Sequence, residues 1–359
     1  MKNTEHKRTA VGELNVEHCT DPVVWDSFVK QHDGPPYALW GWGVAVEAYG
    51  HDRWNLVVRH GDEIVGALPI THIKSRLFGS KLVSPPYGER GSVLVTEYKP
   101  AAVARKLLEY VSKLATELGV DFVSLRGSSI GSHPDFETKN RFVTFQIPTN
   151  IETDSIWNNI KESRRRQIRQ AEENPELTYD TGSSLADLKS YYELNLRSVR
   201  GHGTPPHSFE FYLTLWEQFA DTDQLKLELV WKDGQLINGI LNISNGSTVH
   251  QWGVITDYEY RDLNGGSYLL WKSLERAAVD GYHMYELGRT REGSGVYMFK
   301  KSFGGEKTWY NDRHYFPAKS AELPHPEDET YEPLKRVWRK LPIRVTELIG
   351  PSLRNKISL

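Results

Sequence analysis

Residues 261 to 306 combine two glycine turns, isolated arginines and a lysine pair set among aromatics: Arg261-Asp262-Leu263-Asn264-Gly265-Gly266, then Gly288-Arg289-Thr290-Arg291, then Tyr297-Met298-Phe299-Lys300-Lys301. Glycine loses more entropy on folding than any other residue, so it is usually kept where the backbone turns tightly or must approach something closely. The first stretch falls between a strand and a helix start, where free N–H groups and the helix dipole favour an anion. Arg261 and Gly266 are its candidate ligands, and a plain turn with a helix cap is the alternative. The second stretch leaves a strand end, the usual ligand side of an open α/β sheet. There Arg289 and Arg291 form a candidate clamp for phosphate or carboxylate; the alternative is a solvated loop with Arg289 paired to an acid. A lysine fixed in such a setting can stabilise negative charge that develops on a substrate oxygen, by ~3–4 kcal/mol where one donor is decisive. Lys300 leads that reading, Lys301 is its understudy, and Phe299 and Tyr297 flank them; a solvated lysine pair is the competing view.

Upstream, Trp157, Ile160, Ile168 and Ala171 share a helical face at about 100° per residue, and the segment carries Arg164, Arg165, Arg166 and Arg169. Arg165 and Arg169 lie side by side, four apart, whereas Arg164 falls in the apolar stripe, where it either snorkels or meets a buried anion. A charged outer helix face and a phosphate-neutralising cluster are both consistent with this pattern. His202, His207 and His250 lack metal-ligand spacing, so no metal site is expected. Asp257 and Glu286 are alternates for a general base if partly buried. There is no serine-nucleophile elbow and no complete Walker loop.

The elements that must position these groups come in two similar sets. Residues 54–60 and 63–70 flank Gly61-Asp62 as a hairpin, a helix follows over 100–119, and a strand resumes at 120–125. The order recurs about 165 residues later: strands over 225–231 and 236–243 flank Lys232-Asp233-Gly234, followed by a strand at 248–254, a helix over 266–279 and a strand at 282–287. Hairpin, strand, helix, strand therefore occurs twice, which gives an α/β protein with mixed sheets, helices on their faces and a separate core in each half. The expected boundaries are a flexible start over 1–20, one domain over 21–150, a second over 151–320 and a basic tail over 321–359. A helix is expected from Asp21-Pro22, the acid capping and the proline fitting the first turn.

Composition sets outer limits. The 359 residues carry a net charge of −3, so no global field draws the chain to nucleic acid or membrane. Aromatics reach 11%, enough to fill two cores and still furnish a binding platform. Cys19 is the only cysteine, which excludes an intramolecular disulfide and a multi-thiolate zinc site. No apolar run is long enough to span a bilayer and no signal-like start is seen, so a cytoplasmic location is expected. After about residue 321 the chain is acidic and proline-rich. From Glu332 onward Lys335, Arg336, Arg339, Lys340, Arg344, Arg354 and Lys356 outnumber Glu332 and Glu347. Such a tail is a candidate for peripheral contact with anionic lipid at the inner membrane face, or for packing back on the domains; Pro342 and Pro351 argue against one long amphipathic helix.

Taken together, these motifs resemble the FemABX aminoacyltransferase family within the wider GNAT-like acyltransferases. Gly66–Ile70, Leu77–Pro86, Gly203–Ser208 and the tail segments Trp338–Pro342 and Ile349–Pro351 are similar to FemAB-like proteins associated with exosortase or PEP-CTERM surface systems. The resemblance implies tandem GNAT-like domains and transfer of an acyl or aminoacyl group to an amine of a cell-envelope or surface-polymer precursor. It implies no permanent cofactor, only a donor, aminoacyl-tRNA or acyl-CoA. Phe299-Lys300 matches the family pair credited with stabilising the carbonyl oxygen, and Arg164–Ala171 matches its basic signature before the second domain. CoA-dependent GNAT enzymes hold pyrophosphate with Arg or Gln, two residues, Gly, one residue, then Gly or Ala; Arg261 and Gly266 fit, while Asn264 replaces the first glycine. The competing functions are a CoA-dependent N-acyltransferase and a non-catalytic protein that binds a glycan or lipid-linked precursor.

Overall fold

The computed structural model describes residues 13–75, 78–91, 93–127, 133–318 and 332–357. In chain order the strands are β1 (Leu14–His18), β2 (Asp52–His60), β3 (Glu63–Ile73), β4 (Lys81–Ser84), β5 (Leu94–Val95), β6 (Phe122–Leu125) and β7 (Glu137–Lys139). There follow β8 (Val143–Pro148), β9 (Leu177–Gly182), β10 (Leu225–Lys232), β11 (Gln235–Asn245), β12 (Thr248–Thr256), β13 (Met284–Glu286), β14 (Glu306–Trp309) and β15 (Asp312–Tyr315). One sheet runs β1-β2-β3-β4-β6-β15-β7, with β5 added on β3; the other runs β14-β8-β13-β12-β11-β10-β9. In each, a hairpin leads to a strand, a crossover helix and a parallel partner. The Pro100–Glu117 helix precedes β6, which pairs with β4, and the Gly265–Val279 helix joins β12 to β13. The doubled α/β order is therefore present.

Local chemistry accounts for most boundaries. Asp21 accepts hydrogen bonds from the N–H groups of Val23 (2.8 Å) and Val24 (3.2 Å), with Pro22 in the first turn, so the first helix starts where expected. Gly119 and Gly281, both at positive φ, follow the two crossover helices. The helix expected across 157–171 is instead two, Thr153–Asn159 and Glu162–Glu172, because Ile160 and Lys161 are extended. The break lets the Lys161 N–H donate to Ser302 O at 2.9 Å, tying the basic helix to the loop after Lys301.

Three expected boundaries differ from the sheets. Residues 14–18, placed in a flexible start, form an edge strand on β2, with Leu14 and Val16 packed toward the first core. β8 ends at Pro148 yet belongs to the second sheet, and β15, well before 320, belongs to the first. The chain thus crosses between sheets twice, at 140–142 and 310–311, and the Tyr310 N–H donates to Phe142 O where the crossings run side by side. The two halves also share a third core, in which Trp25, Tyr37 and Trp42 pack with Tyr191, Phe211 and Leu241.

The acidic, proline-rich part of the tail lies outside the described residues. The remainder folds back as helices Glu332–Lys340 and Ile343–Arg354, separated at Leu341-Pro342. Trp338 is buried, Arg200 donates to Leu341 O, and Gly350 sits so close to Pro206 that an added Cβ would lie 2.4 Å from it. Among the described residues, no helix is long and apolar enough to cross a membrane.

Candidate active site

β12 and β13 pair only at Thr248–Met284, Val249–Tyr285 and His250–Glu286, although β12 continues to Thr256. Beyond that point the sheet opens, and residues 86–89 of the first half fit into the opening. Trp252 donates to Tyr87 O (2.9 Å), Trp42 to Pro86 O (3.1 Å) and Arg126 to Gly88 O (3.0 Å). Glu89 accepts the Arg289 N–H at 2.9 Å.

Lys300 stands at this opening. It is buried, and its ammonium donates to Gly288 O (3.0 Å) and Arg289 O (3.1 Å). Burial pulls its pKa down to about 8 from 10.5, against the opposing pull of Glu89 and Glu286. Gly288 has φ +68, and a Cβ added there would lie 2.6 Å from Gln251 O, 3.7 Å from the Glu89 carboxyl carbon and 3.8 Å from Lys300 Nζ. Glycine is therefore required, and a carboxylate and an ammonium flank one small space.

Arg164 is the inward member of the basic cluster. It donates to Ser302 Oγ (2.9 Å), Gln167 Oε1 (2.6 Å) and Ser267 Oγ (2.8 Å), none of them a carboxylate, and its guanidinium lies 4.6 Å from the Phe299 ring centre. Ser267 belongs to the first turn of the Gly265–Val279 helix, so this cation sits at the positive end of a helix dipole. Asn264 precedes that helix at φ +58, a conformation asparagine tolerates, so the turn survives without the glycine usual at that motif position. The residue that packing requires is Gly265, whose Cβ would fall 2.3 Å from Asn238 Oδ1. Gly266 meets nothing closer than 3.4 Å.

Other candidates are placed differently. Arg289, expected as a substrate clamp, is instead half-buried between the Phe142 and Tyr310 rings, ion-paired to Asp312 and 3.9 Å from Glu89. It rivets the crossing point, as the paired-acid alternative anticipated. Arg165 (2.6 Å) and Arg169 (3.8 Å) both turn to Glu162 on the outer helix face. Arg261 is exposed beside Asp262, and Arg291 lies over Phe142 at 5.5 Å. Tyr297 is core, 5.3 Å from the Phe145 ring, and Lys301 points outward with its ammonium 5.8 Å from the Tyr297 ring. The structure thus brings Phe299, Lys300 and Arg164 together around one short helix, Gly295–Lys301, capped by Ser294. Arg289 contributes only its carbonyl to this group, and the side chains of Arg165, Arg169 and Arg261 pair with acids outside it.

Neither alternate base is available as one. Glu286 is opposed by burial, yet Arg90 at 3.1 Å, His250 and hydrogen bonds from Tyr310 and Gln146 hold its pKa below the usual value. Asp257 caps the turn that follows β12 through the Glu259 N–H. Burial keeps His250 neutral, with a pKa of about 4, and pushes His207 well below 6.5. The acid that does face the opening, Glu89, escaped sequence reasoning. Its only signal is the glycine-flanked Tyr87-Gly88-Glu89-Arg90-Gly91, far in sequence from the lysine pair.

Residues 158–301 match the acetyltransferase (GNAT) domain family. No curated protein sequence matches the chain significantly. Among solved structures the fold is similar to that of FemX (TM-score 0.67, 14% identity, 84% of this chain and 97% of that one). It is also similar to a tandem GNAT protein from the clavulanic acid biosynthesis pathway (0.55, 13%, 86% and 100%). L-PGS from Bacillus licheniformis is a third likeness (0.52, 12%, 92% and 97%).

Proposed function

We propose that this chain, a FemAB-like acyltransferase of the GNAT superfamily, moves an acyl or aminoacyl group from a phosphate-bearing donor to an amine of a cell-envelope or surface-polymer precursor. The observation that carries the reading is Lys300, an ammonium buried where β12 and β13 part, beside a carboxylate from the other half of the molecule. Phosphates of the donor, aminoacyl-tRNA or acyl-CoA, rest at the start of the Gly265–Val279 helix against Arg164. Arg261 lies toward solvent and serves the donor's outer phosphates, whereas Arg165 and Arg169 stay paired to Glu162. The acceptor nitrogen attacks the donor carbonyl, the C–N bond forms, and Glu89 takes the proton the amine releases. Two of the three Lys300 protons are held by carbonyls; the third meets the oxygen on which negative charge collects. When the C–O or C–S bond breaks, the leaving group takes a proton and departs as alcohol or thiol. Catalysis here is positioning and charge stabilisation, without a covalent enzyme intermediate.

The test is transfer of label from acetyl-CoA or from aminoacyl-tRNA to amine acceptors, by the natural chain and by Lys300→Met. Loss of transfer with a cooperative unfolding transition retained is expected, and a fully active variant discards the assignment. Calorimetry with acetyl-CoA separates the donors. Heat that Gly266→Asp abolishes identifies the CoA-dependent enzyme, whereas no heat favours the aminoacyl ester.

A further inference from the structure

Beyond the opening lies a cavity of about 210 Å³ whose walls come from both halves and from the tail. Its rings include Tyr87, Tyr212 and Trp252, with Tyr87 and His207 meeting edge to face at 4.9 Å. Two charged residues line it, Glu89 and Arg354. Glu89 is the acid that faces Lys300 across Gly288, so the cavity adjoins the point of transfer.

Arg354 is held in an unusual way. Its Nε donates to His207 Nε2 at 3.1 Å, and His207 Nδ1 lies 3.0 Å from the Tyr49 hydroxyl. A neutral imidazole therefore orients the guanidinium without cancelling its charge. Among the described residues, Arg354 forms no ion pair with a carboxylate. The chain just after it is pinned: Tyr87 donates to Asn355 O (2.5 Å), His51 Nε2 reaches the same oxygen (2.9 Å), and Lys81 donates to Lys356 O (3.1 Å). Tyr191 adds a second observation. Its hydroxyl is fully buried and without a partner, and it stands 2.2 Å from where a Cβ on Gly253 would be; both residues line the cavity.

A fixed cation with no carboxylate ion pair among the described residues, an acid and an unpaired hydroxyl around one small aromatic space form a built site rather than a packing flaw. We propose that this cavity receives the acceptor, and that the acceptor is an amine bearing an anionic group, carboxylate or phosphate. Arg354 binds the anion and Glu89 faces the amine. The proposal rests on the acyl-transfer reading and names its acceptor class.

Three probes on one two-carbon scaffold test it by calorimetry with the full chain: β-alanine, O-phosphoethanolamine and ethanolamine. One or both anionic amines should bind at least tenfold more tightly than ethanolamine, and the tighter of the two names the anion. Arg354→Gln should erase that preference, and Arg354→Lys should restore part of it. Val254→Trp, at a half-exposed position of the same wall, should weaken every probe while leaving the core untouched. Ethanolamine binding as tightly, a preference that persists in Arg354→Gln, or binding by none of the three overturns the proposal. Lys300→Met should keep the binding preference. If that variant stays active while the preference holds, the transfer mechanism fails and the acceptor site stands.

Discussion

At the scale of single residues, the lysine pair at 300 and 301 separates cleanly. Lys301 is solvated, whereas Lys300 is turned inward by carbonyls of the loop that follows β13. Lys300→Met is expected to lower turnover by about a hundredfold or more, the usual loss when one preorganised donor is removed. Its titration gives a second check. Because the charged form works and its pKa is about 8, activity should fall as pH rises through 8, and Lys300→Arg should move that limb upward. Stability runs the other way. Between about 8 and 10.5 the unfolded chain binds the proton that the folded one releases, so this group's contribution to stability grows with pH. A pH profile of turnover beside one of unfolding separates the two. For Arg164→Gln, donor affinity should drop roughly tenfold, as expected for one charge-assisted bond, with little change in turnover at saturation. Arg165→Gln, paired to Glu162 outside, should leave both constants nearly unchanged.

Among the elements, the Gly265–Val279 helix carries the sharpest contrast. Its two opening glycines look interchangeable in the sequence, but a Cβ on Gly265 would collide with Asn238 at 2.3 Å, whereas one on Gly266 would only touch it at 3.4 Å. Gly265→Ala should destabilise the fold by ~1–3 kcal/mol through overpacking, and Gly266→Ala should stay within about 1 kcal/mol; urea unfolding of the pair decides it. This helix was legible because Leu269, Leu270 and Leu274 repeat at helical spacing and Gly281 closes the segment. The single helix expected across 157–171 was not, because Ile160 remains buried through the break and the apolar pattern runs on undisturbed.

For the molecule as a whole, the decisive feature is the exchange of strands. β7–β8 and β14–β15 cross between the sheets side by side, with Arg289 bound to Asp312 and Glu89 where they meet. Removing one partner of a buried pair leaves a charge uncompensated, so Arg289→Met should cost ~3–5 kcal/mol. A smaller loss than that in chemical denaturation would return Arg289 to the list of substrate ligands. The tail belongs to the same scale. Its second helix closes over the aromatic cavity and is tied to both halves, through Lys81 and Tyr87 on one side and His207 on the other.

From composition and order alone came the duplicated α/β layout, the hairpins around Gly61-Asp62 and Lys232-Asp233-Gly234, the crossover helices and the candidate lysine. These are set by local periodicity, turn chemistry and caps, which neighbouring residues encode. Only the folded chain decided that Arg289 is a rivet, that Arg164 alone of its cluster faces inward, and that Glu89, Arg354 and Tyr191 line one cavity. Those assignments depend on which distant side chains desolvate one another: Glu89 and Arg289 are 200 positions apart, and no spacing rule links them. Burial and charge pairing are properties of the packed molecule, so they became visible only once the two sheets had exchanged strands and closed.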